Sequence, residues 1–255
     1  MLDRQDIQIL NWLSDIDQGP QQRATIGQRE VGTVEWLLDS TVFQAWLHRD
    51  KQTLFCPGIP GAGKTVATSL AIDSLCRKFQ NDKSVGIAFA FCSYQQSVSC
   101  TDLLRSILKQ LAQFSMPEAV INLYRHHSPR GTFPSPDGIF DTLRDVVAGY
   151  SRTFILIDAL DELKASDGTR SNIISRLFRL QNGSNTNLFM TSRHVSEVTE
   201  KLQKRGCSIL EIRATEGDVR KYIEHQLSSF PAFVQETRGL KEQITTAIIN
   251  TTDGM

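Results

Sequence analysis

"CPGIPGAGKT", residues 56–65, sets glycine or proline at five of ten positions and then presents a lysine and a threonine. The apolar run "TLFC" (53–56) leads into it, and "TVATSLAIDSLCRKF" (65–79), with Val66, Leu70, Leu75 and Phe79 near one face, follows at once. The spacing of Gly58, Gly63, Lys64 and Thr65 fits G-x-x-x-x-G-K-[ST], and the flanking strand and helix are the context that pattern requires. Glycines remove Cβ atoms, so successive backbone N–H groups can curl around an anion, and the helix N-terminus adds partial positive charge. The loop from Gly58 through Ile59, Pro60, Gly61, Ala62, Gly63, Lys64 and Thr65 to Val66 is therefore the candidate phosphate cradle. Lys64 would supply a full charge to the outer phosphates, and the Thr65 hydroxyl would bind Mg²⁺. The bland alternative is a glycine-rich strand-to-helix turn with an incidental Gly-Lys-Thr.

Outward from this stretch the chain alternates. "VGIAFAFC" (85–92), "TFILID" (153–158), "NLFMTS" (187–192) and "SILEI" (208–212) join "TLFC" as buried strands, because they lack period-two polarity. Helical stretches such as "TDLLRSILKQLAQF" fill the intervals. The pattern predicts an α/β fold with a mainly parallel sheet and crossover helices on both sides.

Two of these strands deliver chemistry. "TFILIDALDEL" carries Asp158 to the carboxyl end of a buried strand, where ligands of open α/β sheets bind, and one carboxylate there can hold Mg²⁺ through water. Asp161 and Glu162 read either as acids that orient or deprotonate an attacking water, or as acids placed at a following helix start for dipole reasons alone. The strand in "NLFMTSRH" ends in Thr191, Ser192 and Arg193, so a guanidinium at the same sheet edge could read a γ-phosphate. The chain lacks an N-K-x-D tetrad, which lowers but does not remove guanine specificity.

Composition narrows the rest. Lys plus Arg equal Asp plus Glu at 28 each, so no global field recruits nucleic acid or an acidic membrane. No basic or aromatic nucleic-acid face is visible, and nucleic acid is not an expected partner. Cys56, Cys76, Cys92, Cys100 and Cys207 lack C-x-x-C spacing and suit a reducing, cytoplasmic compartment. No segment reaches the roughly 20 apolar residues that span a bilayer, and the amino terminus lacks a secretory h-region.

Residues 1–50 read as a helical lead, 51–213 as the nucleotide-binding core and 214–255 as the start of a helical module. In the lead, "GTVEWLLDSTVFQAWLHRD" predicts two short helices split at Asp39-Ser40, with Ser40 capping the second. Its stripe of Trp36, Phe43 and Trp46 reads as core rather than as a base-stacking surface. "HSPRGTFPSPDG" (127–138) reads as a surface loop, and His126 and His127 as solvated. The last module opens with a Thr215 cap and Asp218 three residues on. It stops at "TTDGM" without a closing turn, which predicts that it continues in a longer protein.

Together "GIPGAGKT", "FILIDALDEL" and "NLFMTSRH" resemble the NACHT-type nucleotide-binding domain of the STAND class of P-loop signalling NTPases. The lead segment looks like the start of the fungal branch, whose P-loop unit is similar to the amino-terminal region of nephrocystin-3-like proteins. The resemblance implies a five-stranded core in which the strand ending at Arg193 lies between the P-loop strand and the Asp158 strand. It implies a Walker A loop at Gly58, Gly63, Lys64 and Thr65, a Walker B aspartate at Asp158, an extended acidic motif at Asp161 and Glu162, and a sensor arginine at Arg193. Many relatives carry Gly after the Walker B aspartate, where this chain has Ala159. The implied activity is a switch that binds and slowly hydrolyses ATP or GTP with Mg²⁺, self-associates through this unit, and works with effector and repeat domains, such as ankyrin, outside the chain. Fungal relatives of this kind are linked to non-self recognition and regulated cell death. A nucleotide-bound scaffold without turnover and a small-molecule kinase are the competing readings. The acidic cluster after Asp158 speaks for water activation over the kinase.

Overall fold

The computed structural model describes residues 3–95, 98–228, 237 and 239–252. Five parallel strands form one sheet in the order β2-β3-β4-β1-β5. They are β1 (Thr53–Pro57), β2 (Val85–Phe91), β3 (Arg152–Asp158), β4 (Thr186–Ser192) and β5 (Ser208–Ile209). The Arg193 strand thus lies between the P-loop strand and the Asp158 strand, as the resemblance implies. β5 is shorter than its apolar run, but its hydrogen bonding goes on: Leu210 N–H donates to Phe55 O at 3.0 Å and Ile212 N–H to Pro57 O at 2.8 Å.

Strand alternation builds a core on each face. Phe55, Ile155, Ile157, Leu188 and Met190 point to one side and pack with α6 (Cys100–Ala112), α8 (Pro136–Ala148) and α9 (Thr169–Gly183). Leu54, Cys56, Phe154, Leu156 and Phe189 point to the other and pack with α4 (Thr41–His48) and α5 (Lys64–Lys78). Both faces are covered, so the strands can be apolar throughout.

The lead segment belongs to these cores. α1 (Arg4–Leu13) buries Ile9, Leu10 and Leu13 beside α6. α2 (Gly19–Gln28) lies on α5, and its Gln22 donates to Ser69 O at 2.9 Å. Ser40 separates α3 (Trp36–Asp39) from α4 and accepts Phe43 N–H at 3.1 Å, the cap read from sequence. Phe43 and Trp46 are core. Trp46 is 1% exposed, touches the rings of Phe43, Phe154 and Phe189, and donates Nε1–H to Leu188 O at 2.9 Å. Trp36 is half-buried and is drawn elsewhere, donating to the Asp218 carboxylate at 3.0 Å.

One loop reading is corrected in part. Residues 128–130 form a 3-10 turn, and α8 begins at Pro136, inside the stretch read as loop. Ser135 accepts Gly138 N–H at 3.1 Å and Pro136 occupies the first turn, where its missing N–H is no loss. Past the sheet, α11 (Glu216–Ser228) starts on the predicted Thr215 cap. A further helix covers Leu240–Thr252, and the end of "TTDGM" lies outside the described residues. All five cysteines are unpaired, and among the described residues no helix is long and apolar enough to cross a membrane.

Candidate functional site

The loop after β1 is shaped by two different demands on glycine. A Cβ on Gly58 would meet Ile212 O at 2.5 Å, because the segment after β5 runs hard against the loop. Gly61 and Gly63 instead hold φ of +80° and +88°, which side chains other than glycine rarely adopt, and Gly63 is the residue from which α5 springs. Ala62 is buried among Leu54, Cys56 and Ile212, fixing the loop to the core. Its curve closes on Lys64, whose Nζ donates to Gly58 O at 2.9 Å and Ile59 O at 2.8 Å. Burial is the largest influence on this ammonium and lowers its pKa. Asp161, Asp158 and Glu162 act against that shift, and Arg193 adds to it. All five charges share one local field.

Asp158 stands at the end of β3, 2% exposed, with three hydroxyls on its carboxylate. Thr65 donates to Oδ2 at 2.8 Å and Thr191 to Oδ1 at 2.7 Å. Thr68 Oγ1 lies 2.9 Å from Oδ1 and 3.0 Å from Lys64 O, so its one proton serves one acceptor at a time. Burial raises the Asp158 pKa, and the hydroxyl donors and Lys64 only partly offset this. The folded form therefore holds a proton more tightly than the unfolded one. The stability linked to Asp158 is present below the ordinary carboxylate pKa and lost as pH rises through the folded value. Asp158→Asn in metal-free buffer should accordingly raise Tm at pH 7.5, by about 2–4 °C for each kcal/mol of burial cost relieved, with the gain narrowing toward pH 4. Thermal unfolding at the two pH values checks this, and a lower Tm at pH 7.5 would contradict it.

Ala159 answers the departure noted in the sequence. It takes φ +55° and ψ +53°, the left-handed region, and its N–H donates to Thr191 Oγ1 at 2.9 Å. An L-residue there costs about 1–2 kcal/mol, partly offset by the smaller entropy of the unfolded chain compared with glycine. Ala159→Gly should stabilise the fold by about 0.5–1 kcal/mol, read as an upward Tm shift of about 2 °C. An unchanged or lower Tm would show that the turn carries no strain.

The turn from Ala159 delivers Asp161 and Glu162 toward the end of β4. Asp161 accepts the Arg193 backbone N–H at 2.9 Å and lies 3.2 Å from its Nε. Glu162 lies 3.8 Å from Arg193 Nη2 and accepts Tyr94 N–H at 3.2 Å. Both acids stand in the first turn of a short 3-10 helix (Leu160–Glu162), and both reach Arg193. The β1–β4 register sets Pro57 beside Ser192, and Gly58 N–H donates to Ser192 O at 3.1 Å, so the loop and Arg193 are neighbours. Lys64, Thr65, Asp158, Asp161, Glu162 and Arg193 are thus at one edge of the sheet.

Two participants were not singled out as ligands of Asp158. Thr68 sits one helical turn past Thr65, so a second threonine on that helix face was the available signal. Thr191 was named only as the end of its strand, and its contact follows from the β3–β4 pairing. Among the described residues no group of three or more His, Cys, Asp or Glu could hold a metal ion by itself, so a cation here would need hydroxyl or phosphate oxygens as well.

A glycine-rich loop between a central parallel strand and a helix, facing an aspartate at the end of a nearby strand, defines an α/β P-loop domain. Residues 32–193, well over half of the chain, match the family model described as nephrocystin 3, N-terminal, and the chain belongs to that family. The fold resembles the Aeropyrum pernix ORC1 protein in complex with DNA, with TM-score 0.51 and 15% identity over 86% of this chain and 52% of that one. It also resembles the Aeropyrum pernix ORC2 protein (ADPNP-ADP complexes), with TM-score 0.52 and 13% identity over 81% of this chain and 55% of that one. The chain therefore spans about half the length of these two structures. No curated protein matches it in sequence.

Proposed function

We propose that this chain binds a purine nucleoside triphosphate with Mg²⁺, hydrolyses it slowly, and uses the cycle to control self-association. The observation that carries the reading is the convergence of Lys64, Thr65, Asp158, Asp161, Glu162 and Arg193 at one sheet edge.

The residues fit both ligands. The loop is free of Cβ atoms at Gly58, Gly61 and Gly63, and α5 opens on it, so main-chain N–H groups and a helix terminus can face phosphate. Thr65 and Asp158, joined by a 2.8 Å hydrogen bond, offer the hard oxygen donors that Mg²⁺ takes; Thr65 would hold the cation and Asp158 would do so through water. A bound Mg²⁺ would neutralise charge on the phosphate oxygens. Lys64 would neutralise more of it, Thr68 and Thr191 keep Asp158 oriented, and Thr65 would present its lone pairs to the cation. Arg193 can transfer its guanidinium from Asp161 and Glu162 to a phosphoryl oxygen, which frees Glu162 to orient water.

Membership of the nephrocystin family and the resemblance to NACHT domains support a signalling role over a metabolic one. We extend the reading to ATP or GTP as the nucleotide, and to effector and repeat domains outside these residues acting in fungal non-self recognition or regulated cell death. The domain division at residues 50 and 213 and a cytoplasmic location belong to the same proposal. DNA is bound by one of the structural neighbours. We do not carry it over, because the balanced charge gives no phosphate-backbone footprint.

Isothermal titration of the purified chain with Mg-ATP and with Mg-GTP tests the reading. Saturable binding of at least one of them in the micromolar range is expected, and it should weaken when EDTA removes the cation. Absence of binding for both up to millimolar concentration would refute it.

A further inference from the structure

The sheet ends on one side at β2, and its outward edge is only partly closed. Cys92 N–H bonds to Asp158 O and Ser84 O accepts Ser151 N–H, so even-numbered residues of this strand face β3. Odd-numbered residues turn their N–H and C=O groups away from the sheet. Side chains from elsewhere take up some of these groups. The Gln110 carboxamide accepts Phe89 N–H at 3.0 Å and donates to Phe89 O at 2.7 Å, standing in for a peptide group of a sixth strand. Gln18 accepts Phe91 N–H at 3.1 Å. α6 comes near enough for this because β2 shows it only Gly86, Ala88 and Ala90, and a Cβ on Gly86 would meet Leu111 at 2.9 Å.

Among the described residues Ile87 has no such stand-in. Its outward N–H and C=O face a cleft of about 540 Å³, beside the half-buried side chains of Val85, Ile87 and Phe89 and the exposed ring of Phe114. Open backbone beside apolar pockets at two-residue spacing is what an added strand requires. Charge selects the kind of strand. Arg23 and Lys83 on the cleft wall make no ion pair among the described residues. Asp17 and Asp82 on the wall keep their charges while they accept the Gly19 N–H and the Ser84 N–H and hydroxyl. Arg23, Lys83 and Lys109 outnumber them, so the wall carries a net charge of +1.

We propose that the β2 edge is a strand-addition site for an extended acidic peptide, which pairs with Ile87 and replaces the Gln110 carboxamide on Phe89. The site lies at the α5 carboxyl end, near Phe79, whereas the Lys64 cluster lies at the α5 amino end, so the proposal is independent of the nucleotide reading.

The test uses the full 255-residue chain and a fluorescein-labelled octapeptide of alternating glutamate and valine, with an alternating lysine and valine peptide as control. Anisotropy should show the acidic peptide binding about tenfold or more tightly than the control. Hydrogen exchange should slow across residues 85–89 when it binds. Arg23→Glu with Lys83→Glu should weaken binding about tenfold, and Gln110→Ala, which opens Phe89, should strengthen it about threefold. Equal binding of the two peptides, binding with no protection at 85–89, or no binding below millimolar concentration would overturn the proposal. Occupation of the cleft by a compact aromatic carboxylate such as phenylpropionate, with no acidic peptide bound, would overturn it in favour of a small-molecule site.

Discussion

Lys64→Ala should weaken Mg-nucleotide binding by about a hundredfold or more while leaving the fold in place. Its ammonium is the cation at the centre of the loop, held there by Gly58 O and Ile59 O, and it is half-removed from water. Truncating one partner of a desolvated charged pair costs about 2–5 kcal/mol, which is roughly thirtyfold to several thousandfold in affinity. Stability should suffer little, because burial already disfavours this charge in the folded chain and only two carbonyls lose a donor. Far-UV circular dichroism and a Tm within a few degrees of the parent would establish the fold, and titration calorimetry would read the affinity. Lys64→Arg is the informative companion: a planar fork is too bulky for the curve that Nζ occupies, so charge without shape should rescue poorly. If alanine left affinity within threefold of the parent, phosphate would have to bind elsewhere and the reading of residues 56–65 would fail.

What made this site legible was chain order. A strand, a breaker-rich loop and a helix in direct succession fixed where Lys64 and Thr65 would stand, and apolar runs ending in Asp158 and Arg193 fixed which sheet edge those residues would reach. The contacts between strands were not legible in that way. Thr191 meets Asp158 because β4 lies beside β3, a fact of lateral order that local pattern does not encode and that only the family resemblance supplied. Asp218 shows the same limit. Its spacing from Thr215 suggested a capping box, yet its carboxylate accepts Val34 N–H at 2.8 Å and Trp36 Nε1–H at 3.0 Å, tying α11 to the segment before the core. In the stretch 127–138, three prolines outweighed the local signal of Ser135 followed by Pro136, which is how a helix starts.

Glu162→Gln separates a hydrolase from a scaffold that only holds nucleotide. In the proposed reaction the oxygen of water attacks the γ-phosphorus, the bond to the β-phosphate oxygen breaks, and the proton of water passes to Glu162 and then to the released phosphate. Glutamine keeps the size of the side chain and an oxygen for Tyr94 N–H, but it cannot take that proton. Phosphate release should fall by about 10²–10⁴-fold, while Mg-nucleotide affinity stays within about threefold of the parent. Arg193 makes the experiment sharper. Its guanidinium lies 3.2 Å from Asp161 and 3.8 Å from Glu162, so the Gln change removes one of its two acidic partners and leaves the nearer one. Any gain in affinity would therefore report Arg193 moving to phosphate more readily, and it would appear without turnover. Equal phosphate release by the parent and the Gln variant would remove Glu162 from the chemistry. Intact nucleotide recovered from both after hours of incubation would instead support a scaffold in which Lys64 and Asp158 serve binding alone.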